Sequence, residues 1–301
     1  MGIYVETRIH GSLEELWEKT QNPEWHERWD ARFTSITCLP RAEESEPQRF
    51  EYTTRLGFGL GIKGAGETVG SRDETTGRRT SSLRFWSDDA KSLIREGAGY
   101  WQYTPLEDGV RFVTGYDYQT RFGWLGRTFD HFVFRPLMGW ATAWSFDRLR
   151  LWIEQGIDPA VSMQRSLIHG LARMTVAFVW IYQGLIPKLI ARHTDELAML
   201  ADAGVAASVA PAFLIIAGMA EVVLGATVLI CFHRRWPLVL TVLLMLLATI
   251  GVAISSPQYL SAAFNPVSLN LLLAVVALLG LSVMHDLPSA RRCLRKKPEA
   301  D

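Results

Sequence analysis

The chain has 301 residues with 31 basic and 31 acidic side chains, and the two signs are interleaved, which excludes the basic surface of a nucleic-acid-binding protein. Its three cysteines, Cys38, Cys231 and Cys293, are widely spaced and odd in number, which argues against a disulfide framework or a paired zinc or thioredoxin-like site and fits a reducing compartment. The average composition hides a division: charged residues recur every few positions to about Arg165, then become sparse between long apolar runs from Leu167 to Met284.

The start of the chain lacks the basic region and apolar core of a signal peptide, so the first half is expected to stay in the cytoplasm. Ile3, Val5, Thr7 and Ile9 alternate as on a strand, and Ser12 with Glu15 forms a capping box for the helix that follows. Pro23 opens a second short helix carrying Trp25 and Trp29. Six further strands are expected near Thr34 to Leu39, Arg49 to Arg55, Gly66 to Asp73, Thr80 to Ser87, Ala98 to Thr104 and Val110 to Thr120. Glu107-Asp108-Gly109 reads as a tight hairpin turn. A mostly helical element from about Trp124 to Gln155 closes this half. Gly59, Gly61 and Gly64 match the spacing of a dinucleotide-binding fingerprint, but no helix follows them. The histidines His10, His26 and His131 have no evident partners, and no catalytic constellation is legible, so a non-enzymatic role is favoured.

This element order, together with Pro23-Glu24-Trp25-His26-Glu27-Arg28-Trp29 and the closing Phe146-Asp147-Arg148-Leu149-Arg150-Leu151-Trp152-Ile153-Glu154, resembles the SRPBCC superfamily of START-like and polyketide-cyclase-like domains over residues 1–156. The resemblance implies an α+β helix-grip fold, a curved antiparallel sheet around a long C-terminal helix, with a cavity for an apolar ligand. Alternation in the last strand turns Val110, Phe112, Thr114, Tyr116 and Tyr118 inward. Trp140, Trp144 and Leu151 recur at helical spacing on the closing helix, and Trp86 and Trp101 lie on earlier strands. The expected ligand lining is therefore Trp86, Trp101, Phe112, Tyr116, Tyr118, Trp140 and Trp144, although aromatic residues at such spacings also simply fill cores.

In the second half, four segments approach the roughly 20 apolar residues that cross a bilayer, at about 167–189, 211–232, 236–254 and 267–284. The basic loop His233-Arg234-Arg235 and the basic tail 288–301 should be cytoplasmic, and the uncharged loop 255–266 should face outward. An all-α four-helix transmembrane bundle in the inner or plasma membrane follows, with both termini inside. Glu221 falls near the midplane, with Gly218 and Gly225 on its face to let a neighbouring helix approach. Gln183, Lys188, Asn265 and Asn270 are its candidate partners in an intramembrane polar cluster. A structural hydrogen bond and a proton-linked, quinone-binding or substrate role remain open for it. Arg173 is expected to snorkel to the headgroups. His193 and Glu196 are too few for a metal site, and Ala191 to Ala203 reads as an interfacial amphipathic helix.

The runs Trp180-Ile181-Tyr182-Gln183-Gly184-Leu185-Ile186-Pro187-Lys188, Ala217-Gly218-Met219-Ala220-Glu221-Val222-Val223-Leu224-Gly225 and Phe264-Asn265-Pro266-Val267-Ser268-Leu269-Asn270 resemble the DoxX-like family of four-helix membrane proteins, over residues 166–287. Some members of that family are linked to thiosulfate and quinone oxidation or to oxidative-stress complexes. Three functions are consistent with the fusion. The first is a START-like domain that binds a hydrophobic small molecule or lipid and couples it to the membrane bundle. The second is a quinone-linked oxidoreductase subunit using Glu221, and the third is an anchor for redox or other partner proteins, or for further copies of itself.

Overall fold

Alternation and capping in the first half produce the expected elements in a computed structural model, which describes every residue except Met1, Ala42, Glu44, Ser45, Phe58, Thr76, Glu299, Ala300 and Asp301. Strand β1 (Ile3–Ile9) leads to α1 (Leu13–Gln21) and α2 (Pro23–Trp29). Ser12 Oγ accepts the Glu15 amide at 3.1 Å and Asn22 Oδ1 accepts the Glu24 amide at 2.9 Å, so side chains satisfy free amides at both helix starts. Strands β2 (Ser35–Cys38), β3 (Arg49–Gly57), β4 (Leu60–Asp73), β5 (Arg79–Trp86), β6 (Ile94–Leu106) and β7 (Gly109–Thr120) follow. All pairings are antiparallel, in the order β1-β7-β6-β5-β4-β3-β2, so β2 to β7 form a meander and β1 returns beside β7. The fingerprint-like glycines Gly61 and Gly64 lie within β4, with Gly59 in the turn before it.

Helix α3 (Gly123–Phe129), a π-helical turn (Asp130–Phe134) and α4 (Arg135–Gln155) then run continuously to complete the helix-grip architecture. The core lies between α4 and the inner sheet face: Phe112 stacks on Tyr103 at 4.9 Å and on Phe146 at 4.5 Å, and Trp29 closes it edge-on to Phe146. Fully burying an aromatic or aliphatic side chain of this kind contributes roughly 1.5–3 kcal/mol. The inward stripe of α4 is Met138, Thr142, Phe146, Leu149 and Ile153.

The chain divides into two compact units, and the first comprises Met1–Ser162 together with Pro288–Asp301. The basic tail is thus a component of the helix-grip fold rather than a separate segment. Leu294 and Glu6 exchange both backbone hydrogen bonds at 2.9 Å, which extends the sheet beyond its edge strand β1. Ala290 and Cys293 enter the core, the Cys293 thiol donates to Ala143 O at 3.3 Å, and the Ser289 amide donates to Asp147 Oδ2 at 2.7 Å. Helix α4 therefore carries buried residues around most of its circumference, from Thr142 and Ala143 through Ser145 to Leu149.

The second unit, Met163–Leu287, is helical. Helix α5 (Pro159–Gln183) passes into a π-helical turn (Gly184–Ile190) around Pro187, which has no amide to donate, and a 93° bend leads to α6 (Thr194–Asp202). Helices α7 (Ala210–Ile230), α8 (Trp236–Ser255) and α9 (Pro266–Ser282) complete it. Among the described residues, α7 and α8 are each long and apolar enough to cross a membrane, and α5 with its bent continuation forms a third candidate. Helix α9 is apolar but has 17 residues, about 25 Å at 1.5 Å per residue.

Candidate functional site

Helix α4 covers the β1, β7 and β6 side of the concave sheet, where side chains are buried, whereas Phe50, Tyr52, Phe85 and Tyr116 on the same face remain half-buried. Cross-strand register places these rings together: Phe50 faces Gly66, Tyr52 faces Gly64, Phe85 faces Gly97 and Tyr116 faces Gly99. A Cβ on Gly97 would stand 2.4 Å from the Phe85 ring, so the missing side chain lets that ring lie flat on the sheet. Phe33, edge-on to Tyr52 at 5.4 Å, and Trp101 extend the aromatic cleft.

A polar cluster closes one end of this cleft. Asp30, wholly buried at the end of α2, accepts Arg32 Nε at 2.9 Å and Arg32 Nη2 at 2.6 Å, with His26 Nε2 at 3.1 Å. Burial opposes ionisation of Asp30, but the Arg32 guanidinium outweighs it and holds the carboxyl well below the usual range. Arg32 Nη1 reaches Tyr116 Oη at 3.3 Å, and that oxygen lies 2.9 Å from Thr142 Oγ1 on α4. Thr142 donates to Met138 O at 2.8 Å, so its hydroxyl accepts from Tyr116. Arg148, also buried, donates to the carbonyls of Trp29, Arg28 and Pro159, and burial pulls its guanidinium down to about 10.

The expected lining is partly reassigned. Trp101 and Tyr116 border the cleft, while Phe112 is deep in the core. Tyr118 is buried at the far end and donates to Asp130 Oδ1 at 2.6 Å, where burial and this carboxylate push its hydroxyl above the usual range. Trp86 does not line the cleft: it pairs with Ala65 and Glu96, one residue out of phase with Phe85, so pleating turns it to the convex face. Trp140 is 47% exposed and stacks on Trp144, which is half-buried against the edge of the core and lies under the Arg148 guanidinium. Helical spacing links those tryptophans to one another, but the residues of α4 that meet the sheet sit two positions away. Sequence reasoning missed His26, Asp30, Arg32 and Thr142; the closely spaced ionisable residues in and after Pro23–Trp29 were the available signal.

In the helical unit, Lys188 lies 3.2 Å from Glu221 Oε2 and 3.2 Å from Glu196 Oε1, joining the π-helical turn, α7 and α6 in one ionic cluster. Glu196 is thus engaged by Lys188, while His193 caps α6 by accepting the Asp195 amide. The hydrogen bonds of Asn265 stay within its own turn, where it caps α9, and Asn270 is buried along α9. Gln183 is half-buried at the end of α5. Gly184 and Gly218 meet backbone to backbone, since a Cβ on Gly184 would stand 2.4 Å from Gly218 O.

Arg173 overturns the snorkelling expectation. It is wholly buried and donates to Val228 O at 2.6 Å, to Cys231 O at 3.1 Å and to Arg234 O, the carbonyls at the end of α7 and just beyond it. The Val228 and Arg234 carbonyls have no other hydrogen bond among the described residues, Cys231 O also accepts the Arg234 amide at 2.9 Å, and a guanidinium is the side chain that can satisfy several carbonyls at once. Arg173 Nε also donates to His169 Nε2 at 2.9 Å, and the two nitrogens of that ring face carbonyls outside their own helix, Nδ1 at 3.0 Å from Gly280 O and Nε2 at 3.1 Å from Phe232 O.

A helix-grip unit with an aromatic cleft, joined to apolar helices of membrane-crossing length, defines a two-part membrane protein. Residues 177–278 match the model of the DoxX-like family. The chain is 40% identical over 296 residues to the uncharacterized membrane protein YndG of Bacillus subtilis (strain 168), covering 98% of this chain and 97% of that one, and it belongs to the same family. Solved structures similar to the first unit include TTHA0849 from Thermus thermophilus, 18% identical over 46% of this chain and 87% of that one with a TM-score of 0.36. A STAR-related lipid transfer protein from Xanthomonas axonopodis is 14% identical over 41% of this chain and 73% of that one, with a TM-score of 0.32.

Proposed function

We propose that the helix-grip unit binds a hydrophobic small molecule or lipid in its aromatic cleft and couples occupancy of the cleft to the membrane helices. The half-buried rings of Phe33, Tyr52, Phe85 and Tyr116 beside the Arg32–Asp30 pair carry this reading. A concave apolar surface with a few convergent polar groups suits a ligand with an oily body and one polar end. The test is to purify the full chain in lipid nanodiscs, denature it and identify released compounds by mass spectrometry, beside a Tyr52→Ala and Phe85→Ala double variant. A hydrophobic compound enriched with the native chain and depleted several-fold with the variant is expected. Equal recovery from both would refute the cleft as the binding site.

The membrane topology belongs to the same proposal: four crossings, by α5, α7, α8 and α9, with both termini in the cytoplasm. Pairing of Leu294 with Glu6 in one sheet supports an even number of crossings, since a strand and its partner share one side of a membrane. The basic loop His233-Arg234-Arg235 supports the cytoplasmic assignment.

A further inference from the structure

The segment that connects β7 to α4 carries a surface unlike the rest of the helix-grip unit. Leu125, Phe129, Phe132 and Trp140 are 60, 51, 71 and 47% exposed, and with Pro136 they recur at spacings of three or four, on one helical face. Phe122 and Trp124, at 58 and 69%, continue the surface at its start. Phe122 is held in the left-handed region at φ 66°, followed by Gly123 at φ 56°. Such a conformation is unfavourable for a bulky residue, and here it holds an aromatic ring in the open. Beside this face, Arg127, His131, Arg135, Arg295 and Lys296 line a groove of about 910 Å³, with Asp130 as its acidic member. Arg127, His131, Arg295 and Lys296 are exposed.

We infer that this face is a membrane-binding surface whose occupant is the anionic lipid headgroup and upper acyl region of a bilayer. Trp, Phe and Leu on one side with Arg, His and Lys beside them is the composition that partitions into that interface: rings enter below the headgroups and cations pair with lipid phosphates. Charge complementarity selects the occupant, because the exposed Arg127, Arg295 and Lys296 flank the apolar face. The chain also belongs to a family of membrane proteins, so it is held at a bilayer already. A tethered domain needs only weak additional contacts to rest on the surface. The inference does not depend on what the aromatic cleft binds.

The test uses the full chain in nanodiscs, with Cys38 and Cys231 replaced by serine and Cys293 left buried. A nitroxide is placed at Phe132→Cys, at Leu125→Cys as a second position on the same face, and at Val69→Cys as an exposed reference on β4. Collisional access to oxygen relative to a water-soluble nickel chelate should be at least about threefold higher at positions 125 and 132 than at 69. The ratio should rise when phosphatidylglycerol is added to phosphatidylcholine discs, and fall with salt or with Arg127→Glu and Lys296→Glu together. Nickel access equal to that at position 69 in both lipids would overturn the inference. So would insensitivity to lipid charge, or spin–spin broadening between two copies, which would assign the face to self-association.

Discussion

At Arg173 a single side chain satisfies carbonyls that the end of α7 leaves open, and it does so without exposure to solvent. Arg173→Leu would strand the Val228 and Arg234 carbonyls, so the protein in detergent should lose on the order of 3 kcal/mol, read as a lowered unfolding midpoint. Arg173→Lys should fall between, because an ammonium keeps the charge but lacks the fork. Asp30 gives a second prediction. Its folded carboxyl is held below the ordinary value of about 3.9, so its ion pair stabilises the fold above that pH and the stabilisation is lost as acid protonates it. Thermal midpoints of the native chain should therefore begin to drop near about pH 5 and go on falling below about pH 3, whereas Asp30→Asn should start lower at neutral pH and show a flatter acid limb. A variant with an unchanged acid limb would remove Asp30 from that role. These residues also mark where reading the sequence stops. The polarity of Arg173 suggested a route to the headgroups, because nothing in its neighbours in sequence reveals three carbonyls more than 50 positions away.

Among the elements, the pairing of the tail with β1 has the clearest consequences. Leu294 covers part of an edge that would otherwise present open hydrogen-bonding groups, and Cys293 sits beneath it. Burial pushes the Cys293 thiol up to about 12, so it stays protonated while the tail is seated. At about pH 8, alkylation followed by peptide mass spectrometry should modify the exposed Cys38 roughly a hundredfold faster than Cys293. Leu294→Pro, which removes one bridging donor, should narrow that gap. Where Gly184 meets Gly218, Gly184→Ala should cost about 2 kcal/mol, measured by unfolding in detergent, because the added methyl would stand 2.4 Å from the Gly218 backbone oxygen, which cannot swing aside as a flexible side chain can. Strand positions were legible because alternation and turn residues are local. The face of α4 was not, because its surroundings come from α2, the sheet and the tail, and two large tryptophans at helical spacing drew attention away from Met138 and Thr142. The glycines Gly218 and Gly225, by contrast, were legible, since small residues at such spacings have few other uses in an apolar helix.

For the whole molecule, the two-part organisation was visible in composition alone, since hydrocarbon selects for long uncharged runs and water does not. The return of residues 288–301 to the first unit was hidden, because a short basic segment at the end of a membrane protein has the same composition whether docked or free. Topology is testable at this scale: reporters fused after Lys297 and within residues 255–266 should show opposite sides, active inside and outside respectively. Matching signals from both positions would exclude the four-crossing arrangement.

The β1 edge is sealed by residues that are translated after the apolar helices. On the proposed four-crossing topology, nearly the whole helix-grip unit emerges before those helices and must wait, with an unfinished sheet margin, while they are inserted. On that topology, completion of this fold would report that insertion has succeeded: a nascent chain in which α9 failed to enter the bilayer would leave its helix-grip unit open to proteases.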